Sequence, residues 1–154
     1  MTATRQYCTF TVAEMFLGIA VEHVQEVLRY QHMTRVPLAP ACVAGLINLR
    51  GQIVTAVDLR VRLGLPSRPA EQTPMNVVVR DRDGAVSLLV DRIGDVLEVD
   101  EDRFEPVPST VAGAAKDLLI GAYKLPSQLL LVLDDERLLN DAEPLSTNDR
   151  LLAG

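Results

Sequence analysis

The chain contains two copies of one residue pattern. Residues 45–63 read GLINLRGQIVTAVDLRVRL, and residues 121–139, at an offset of 76, read GAYKLPSQLLLVLDDERLL without a gap. A second match, at an offset of 69, aligns residues 19–37 with residues 88–106. The identities in the first match are Gly45/Gly121, Leu49/Leu125, Gln52/Gln128, Asp58/Asp134 and Leu63/Leu139. Two copies predict a pseudo-symmetric domain with two lobes, since a solenoid needs at least three repeats.

The repeat divides the chain into two copies, a linker and a tail. Copy one covers about 7–65 and copy two about 76–140, and the linker PSRPAEQTP occupies 66–74. A chain of 154 residues can bury about two-thirds of its unfolded surface. We therefore expect residues 1–140 to form a single domain, followed by a polar C-terminal tail at 141–154.

Short apolar runs between turn residues predict a mainly β fold. Residues 7–12 alternate between apolar and polar side chains, which is typical of a half-buried strand. Hairpins are expected at 46–57 around Gly51, at 76–90 around Asp83-Gly84, and at 118–133 around Pro126-Ser127. Short strands and tight turns in a duplicated chain favour two small barrels.

Short helical segments are expected between the strands. Apolar residues at 21–28 fall at helical spacing, as do their equivalents at 90–97, although Gly94 weakens a helix there. Asp58 and Asp134 each precede a short apolar run at a position that suits a helix N-cap.

Composition argues against nucleic-acid binding. The net charge is -6, and aromatic residues make up 4% of the chain. Between residues 81 and 105 there are nine Asp or Glu and three Arg, so the excess acid lies in this segment and the lobes should differ in charge. Such a chain lacks the basic, stacking surface that nucleic acids select.

Cysteine content and hydropathy indicate a soluble cytoplasmic protein. Cys8 and Cys42 are too few for a disulfide framework and lie among apolar residues, so we expect buried free thiols. No window approaches the ~20 apolar residues of a membrane span, and the N-terminus has no cleavage-site pattern. Direct membrane insertion is not expected.

The sequence has no recognisable catalytic or metal-binding pattern. His23 and His32 lack Cys or carboxylate neighbours at metal-ligand spacing. His23 aligns with Arg92 of copy two, which indicates a solvent-facing position. Dinucleotide fingerprints, phosphate loops and nucleophile elbows are also missing from the sequence. We expect no enzyme activity, no metal and no cofactor.

The turn around Arg50 is where the two copies diverge in chemistry. Arg50 aligns with Pro126, and Asn48 aligns with Lys124. A hairpin turn does not require arginine, so Arg50 is free to point outward and recognise a carboxylate or carbonyl of a partner. An unpaired, solvated arginine is the alternative.

The chain resembles the CheW family of chemotaxis coupling proteins. The resemblance runs from about Tyr7 to Leu139, and the segment 45–58 is highly specific. The segments that carry it are VEHVQEVLRY, the Pro37/Pro40 stretch, GLINLRGQIVTAVDLRVRLGL and LLLVLDDERLL.

This resemblance implies two SH3-like five-stranded β-barrels packed around a shared core, with no catalysis. It implies an adaptor that couples the cytoplasmic tips of methyl-accepting chemoreceptors to the regulatory domain of a CheA-type histidine kinase. Such an adaptor is recruited to membrane-bound receptor arrays, with the receptor tip in the groove between the barrels and the kinase on their outer faces. The positions that match the family's receptor-binding motifs are Val24, Glu26, Asn48 and Arg50.

Individual kinase-binding residues do not carry over from the family, and exposed apolar positions on either barrel are candidates. Pro126 and Ser127 depart from the family's charged turn, which leaves the second lobe's contacts open. The alternative functions are an adaptor in an array with a non-flagellar output and a general SH3-like peptide binder. A small-molecule enzyme would need a pocket with convergent polar groups.

Overall fold

The computed structural model describes residues 3–81 and 84–141. Three short α-helices, α1 (Leu59–Arg62), α2 (Ala114–Asp117) and α3 (Asp135–Asp141), and two 3-10 turns, Val21–His23 and Glu101–Arg103, interrupt a β-rich chain. The strands are β1 (Thr4–Val12), β2 (Met15–Ala20), β3 (Val24–Leu28), β4 (Val43–Leu49), β5 (Gln52–Asp58), β6 (Met75–Asp81), β7 (Gly84–Val90), β8 (Arg92–Asp100), β9 (Leu119–Lys124) and β10 (Leu129–Leu133).

The strands form two five-stranded sheets with the same connection pattern. Lobe A has the order β8-β1-β2-β10-β9, and lobe B has the order β3-β6-β7-β5-β4. In lobe A the β1–β2 hairpin is central: β1 pairs antiparallel with β8, and β2 pairs parallel with β10. In lobe B the β6–β7 hairpin is central: β6 pairs antiparallel with β3, and β7 pairs parallel with β5. The predicted mainly β fold, with two five-stranded SH3-like subdomains and short helices, is confirmed.

Each lobe takes strands from both copies of the sequence repeat. Lobe B contains β3, β4 and β5 of copy one with β6 and β7 of copy two, and lobe A has the reciprocal set. The two small barrels are therefore not each built from one copy. The outer strand β3 of copy one pairs with β6 of copy two, and the outer strand β8 of copy two pairs with β1 of copy one. The copy boundaries and the linker stay predictions, and residues 142–154 of the predicted tail lie outside the described residues.

A two-hydrogen-bond bridge closes each barrel beside a glycine of the repeat. Thr34 and Leu46 exchange backbone hydrogen bonds of 2.9 and 2.8 Å, and Glu105 and Ala122 exchange two of 2.8 Å. A Cβ on Gly45 would lie 2.7 Å from the Thr34 carbonyl oxygen, and one on Gly121 would lie 2.7 Å from that of Glu105. At Gly121 a Cβ would also overlap the Phe104 ring. Close backbone approach in both copies, with the Phe104 ring in copy two, therefore explains the glycine here.

The prediction of helical turns over residues 21–28 is correct for one turn and wrong for the remainder. Val21–His23 forms one 3-10 turn, and the chain then continues as β3, which pairs with β6. The equivalent residues of copy two end β7 and form most of β8. Strand pairing decides the outcome, because it satisfies the backbone polar groups and suits the valine-rich sequence.

The two predicted helix caps and the two hairpin turns that lie wholly in the described residues are present. Asp58 Oδ1 accepts a hydrogen bond of 3.0 Å from the Arg60 amide, and Asp134 Oδ1 accepts one of 3.1 Å from the Arg137 amide. Asp83 of the third predicted turn lies outside the described residues. No helix in the described parts of the chain is long and apolar enough to cross a membrane.

One apolar core joins the two lobes. Phe10 and Leu17 of lobe A pack in the same buried cluster as Val57, Val77 and Leu88 of lobe B. The thiols of Cys8 and Cys42 are free and partly buried. The fully buried members of this cluster are Phe10, Val12, Leu17, Ile19, Val57, Leu59, Val77, Val79, Leu88, Val90, Leu118, Leu133 and Leu138. The shared core fixes the lobes relative to each other.

A buried charge cluster, which we name the Asp91 cluster (Asp91, Arg60 and Arg68), lies where the chain crosses from β7 to β8. Arg60 donates to both carboxylate oxygens of Asp91, at 3.0 and 2.6 Å, and Arg68 Nε donates to Oδ1 at 2.9 Å. The amide of Ala13, in the β1–β2 turn of lobe A, donates to Oδ2 at 2.7 Å. The carboxylate therefore joins both lobes.

The Asp91 cluster also holds the linker. Arg60 Nη1 donates to the carbonyl oxygens of Pro66 and Ser67 at 3.1 and 3.4 Å. The Arg68 side chain, which belongs to the linker itself, is 7% exposed. Burial raises the pKa of Asp91, but hydrogen bonds from Arg60, the Ala13 amide and Arg68 outweigh it and lower the pKa to about 2.

Candidate partner-binding site

The β4–β5 turn consists of Arg50 and Gly51, and both residues have left-handed backbone conformations. Their φ angles are +51° and +88°, and positive φ at both central residues is what type I′ hairpin turns require. Asn48 Oδ1 accepts a hydrogen bond of 2.9 Å from the Gly51 amide. Asn48 therefore has a local structural role in the turn, in addition to the partner contact that its sequence position predicts.

Arg50 and Glu26 form a bidentate ion pair at the end of lobe B. Arg50 Nη1 donates to Glu26 Oε2 at 2.8 Å, and Nη2 donates to Oε1 at 2.7 Å. The Arg50 side chain is 76% exposed and that of Glu26 is 17% exposed. The hydrogen bond from Arg50 lowers the pKa of the Glu26 carboxyl. The structure thus brings together two of the residues predicted from sequence, and Arg50 is exposed but paired.

Val24 lies on a different side of β3 from Glu26. A bulge shifts the register between them, so that Val24 pairs with Val79 and Glu26 pairs with Val78. Val24 is partly buried and packs against the shared core. Of the four predicted positions, the structure therefore places Glu26, Asn48 and Arg50 at one end of lobe B and turns Val24 inward.

Ile53 adds an apolar surface to this end of lobe B. It is the cross-strand partner of Asn48 and is 61% exposed. No sequence signal pointed to it, because Ile53 shares its phase along β5 with Thr55 and with the fully buried Val57. We name Glu26, Asn48, Arg50 and Ile53 the lobe B turn site.

The described residues of lobe A contain no equivalent ion pair. Pro126 replaces the guanidinium of Arg50, and Lys124, in the place of Asn48, lies 3.6 Å from Glu105. Asp95, the counterpart of Glu26, is exposed. Both lobes thus have the same arrangement of strands, but within residues 3–81 and 84–141 a bidentate pair at this turn is found in lobe B and not in lobe A.

The histidines show no metal-site geometry. His23 is 47% exposed, as its alignment with Arg92 predicted, and its Nδ1 lies 2.9 Å from Asp135 Oδ2. Within residues 3–81 and 84–141, no group of three or more His, Cys, Asp or Glu could hold a metal ion.

Comparison with protein families gives a match over residues 6–143, to the CheW-like domain. The chain belongs to the CheW family. It is 30% identical to the chemotaxis protein CheW of Klebsiella aerogenes over 142 residues, which cover 92% of this chain and 86% of that protein. It is 31% identical to the chemotaxis protein CheW of Bacillus subtilis over 123 residues, covering 80% and 79% of the two chains.

A solved structure agrees in fold over most of the chain. The scaffolding protein TtCheW from Thermoanaerobacter tengcongensis superposes with a TM-score of 0.77 at 26% identity, covering 86% of this chain and 90% of that one. The protein is therefore a chemotaxis scaffold of the CheW family. Membership of a non-catalytic scaffold family agrees with the expectation that it is not an enzyme.

Proposed function

We propose that this CheW-family protein couples chemoreceptors to a CheA-type histidine kinase without catalysing a reaction. The observation that carries the proposal is the exposed, bidentate Arg50–Glu26 pair at the end of lobe B, on a chain that matches the family over residues 6–143. Recruitment to membrane-bound receptor arrays follows from the receptor contact.

The lobe B turn site is the proposed receptor contact. A guanidinium has five N–H donors, and Glu26 accepts two hydrogen bonds from Arg50. The remaining donors and the Asn48 amide are free to bind backbone carbonyls or carboxylates of a receptor tip. Ile53 supplies an apolar contact beside them. Glu26 holds the guanidinium in place, and Val24 supports β3 from the core side.

The proposed kinase contacts are exposed apolar residues on the outer strands. Val27 on β3 and Val96 on β8 occupy equivalent places in the two lobes and are 44% and 53% exposed. Two equivalent outer surfaces suit a regulatory domain that contains the same duplicated fold, because each surface presents similar strand geometry to its partner.

Reconstitution tests this function directly. The protein is mixed with receptor-tip fragments and CheA-type kinase, and each pairwise affinity is measured by calorimetry before the three-component complex is assembled. We expect binding to both partners and a complex in which the adaptor is required. If the kinase binds but the chemoreceptor tip does not, the receptor half of the proposal is wrong.

An adaptor for an array with a non-flagellar output remains the second candidate. The same site would bind a different receptor, so co-purification from native cells separates the two outputs by the proteins recovered. Recovery of neither a chemoreceptor nor a CheA-type kinase would favour the general peptide-binding function instead.

A further inference from the structure

Between its described strands the chain crosses from one lobe to the other at two places. The first crossover is the 3-10 turn Val21–His23 between β2 and β3, and the second is at Asp91 between β7 and β8. The repeat aligns Glu22 of the first crossover with Asp91 of the second. Asp91 is buried against two arginines, whereas Glu22 is exposed and pairs at the surface with Arg5. The first crossover is therefore held differently from the second.

His23 connects the first crossover to helix α3. Its Nδ1 lies 2.9 Å from Oδ2 of Asp135, the first residue of α3, and the two side chains are 47% and 19% exposed. Leu138 of the same helix is fully buried in the core that joins the lobes, so α3 holds the carboxylate in a fixed place. The repeat aligns the two paired positions with Arg92 and Leu59, so the shared fold does not require the pair.

The charged groups around His23 come from four elements. Glu22 precedes it in the turn and is paired with Arg5 of β1 at 3.0 Å, and Asp135 faces it from α3. Arg80 of β6 donates to the backbone carbonyl oxygens on either side of His23, at 2.8 and 3.3 Å. Arginine stays charged at every relevant pH, so Arg80 holds the backbone constantly, and Asp135 is the acid bonded to the imidazole.

The strength of the His23–Asp135 contact depends on the protonation of the imidazole. Histidine is the side chain whose charge changes between about pH 5 and pH 8. A protonated imidazole has two N–H donors and a positive charge, so Nδ1 donates to the carboxylate within an ion pair. A neutral imidazole keeps one N–H, on either nitrogen, and carries no charge. The contact is therefore stronger at the acidic end of this range.

The first crossover leads directly into the lobe B turn site. Its 3-10 turn closes with the Val24 amide bonded to the Val21 carbonyl oxygen, and Val24 begins β3. A bulge separates Val24 from Glu26, so the crossover helps to set the start of the strand together with the pairing to β6. Glu26 in turn holds the guanidinium of Arg50. The position of the crossover therefore affects the position of this carboxylate.

We propose that His23 is a positioning residue for the lobe B turn site and acts through Asp135. When the imidazole is protonated, the ion pair holds the crossover against α3 and steadies the start of β3. When the imidazole is neutral, the crossover is held less tightly. Binding at the turn site is therefore tighter at about pH 6 than at about pH 8. The effect on receptor binding rests on the function proposed above, whereas the pH-dependent contact does not.

Amide exchange at Val24, measured by NMR at about pH 5.5 and about pH 8.5, tests the contact without any partner. At each pH the parent is compared with Asp135→Asn, so that the intrinsic pH dependence of exchange cancels. Asp135→Asn should speed exchange roughly two- to fivefold at the lower pH and barely at the higher one, since a partly exposed pair is modest in strength. The amide of Phe104, which closes the other 3-10 turn, should exchange alike in both proteins.

Charge variants separate the ion pair from packing at the crossover. His23→Lys keeps a positive charge at both pH values and should protect the Val24 amide at both. His23→Gln stays neutral and should exchange like Asp135→Asn. Glu136→Gln is the matched control, because it removes the same charge from an exposed position in the same turn of α3, and it should leave exchange at Val24 unchanged.

Calorimetry with a receptor-tip fragment at about pH 6 and about pH 8 tests the effect on binding. His23→Lys meets the same fragment with a constant charge, so it corrects for titration of the fragment. Relative to this variant, the parent should lose roughly two- to fivefold in affinity at the higher pH. Equal pH dependence of the two proteins would overturn the positioning role. Absence of binding at both pH values would instead overturn the proposed receptor contact, and with it the effect on binding.

Two exchange results would overturn the pH-dependent contact itself. The first is a ratio of exchange rates between Asp135→Asn and the parent that is the same at both pH values. The second is an equal effect of Glu136→Gln and Asp135→Asn at Val24, because the charge of α3 in general would then explain the result without the pair to His23.

Discussion

Arg60 and Asp91 form a buried bidentate pair between α1 of lobe B and the crossover to lobe A, with Nη2 2.6 Å from Oδ2 and Nε 3.0 Å from Oδ1. Their side chains are 11% and 7% exposed. A pair this deep is costly to break, because the remaining partner is left buried and without its counter-charge. The pair therefore matters to stability more than the exposed ion pairs do.

Asp91→Asn should destabilise the fold by about 3–5 kcal/mol, because it leaves buried Arg60 without its carboxylate partner. Arg68 keeps only its longer pair with Asp58, at 3.4 Å. Urea denaturation at neutral pH measures the change. Arg5→Gln is the matched control, since its pair with Glu22, at 3.0 Å, has side chains that are 42% and 56% exposed. That control should cost less than about 1 kcal/mol. Equal losses for the two variants would contradict the special role of the Asp91 cluster.

The same carboxylate predicts a pH dependence of stability. The pKa of Asp91 falls from 3.8 to about 2 in the fold, so its contribution is fully present above about pH 4 and is lost as the pH falls toward 2. The contribution is on the order of 2 kcal/mol. Denaturation midpoints between pH 5 and about pH 2 should fall more steeply for the parent chain than for Asp91→Asn, which has no group to protonate there. If the midpoints of the two proteins fall in parallel with pH, other carboxylates account for the loss of stability at low pH.

Arg50→Asn should separate binding from stability. Asn-Gly is favoured in type I′ turns, and both turn residues have positive φ, so the melting temperature should not fall. Loss of the exposed guanidinium should weaken receptor-tip binding roughly ten- to a hundredfold. Calorimetry with receptor and kinase fragments checks both effects, and kinase binding should be spared. A variant that melts well below the parent would make Arg50 a structural residue.

Much of the fold could be predicted because the duplication constrains it. The hairpins, the equivalence of residues 46–57 with 122–133, and the caps at Asp58 and Asp134 all follow from local pattern. The 21–28 segment could not be predicted in the same way, because its apolar spacing suits a helix and a strand. The pairing of β3 with β6 decides between them. Pairing between strands of different copies depends on contacts distant in sequence, and local propensity cannot predict it.

The candidate site was predictable in part. Comparing the copies singled out Arg50, and the family resemblance added Glu26 and Asn48, which the structure places beside it. The inward orientation of Val24 depends on a bulge in β3, and sequence alternation gives no sign of that bulge. The Asp91 cluster was missed, because Arg60, Arg68 and Asp91 are distant in sequence and no repeat pairs them.

Gly51→Val should destabilise the β4–β5 hairpin by about 1 kcal/mol or more, because φ at this position is +88° and β-branched residues avoid that region. Gly51→Asn is the control, since asparagine tolerates positive φ and open space surrounds the position. Thermal melting compares the two. If both variants melt together with the parent, the left-handed turn is not a constraint on this chain.

The barrel-closing glycines give the last prediction. Gly45→Ala and Gly121→Ala should each destabilise by about 1–3 kcal/mol, because the added methyl group meets a backbone carbonyl oxygen at 2.7 Å that is held in the closing bridge. At position 121 the methyl group also overlaps the Phe104 ring. Chemical denaturation of both variants measures the loss, and amide exchange at Leu46 and Ala122 reports whether each bridge opens locally. We expect Gly45→Ala to speed exchange at Leu46 and Gly121→Ala to speed it at Ala122. A loss of stability without faster exchange at either bridge would show that barrel closure does not explain the repeated glycine.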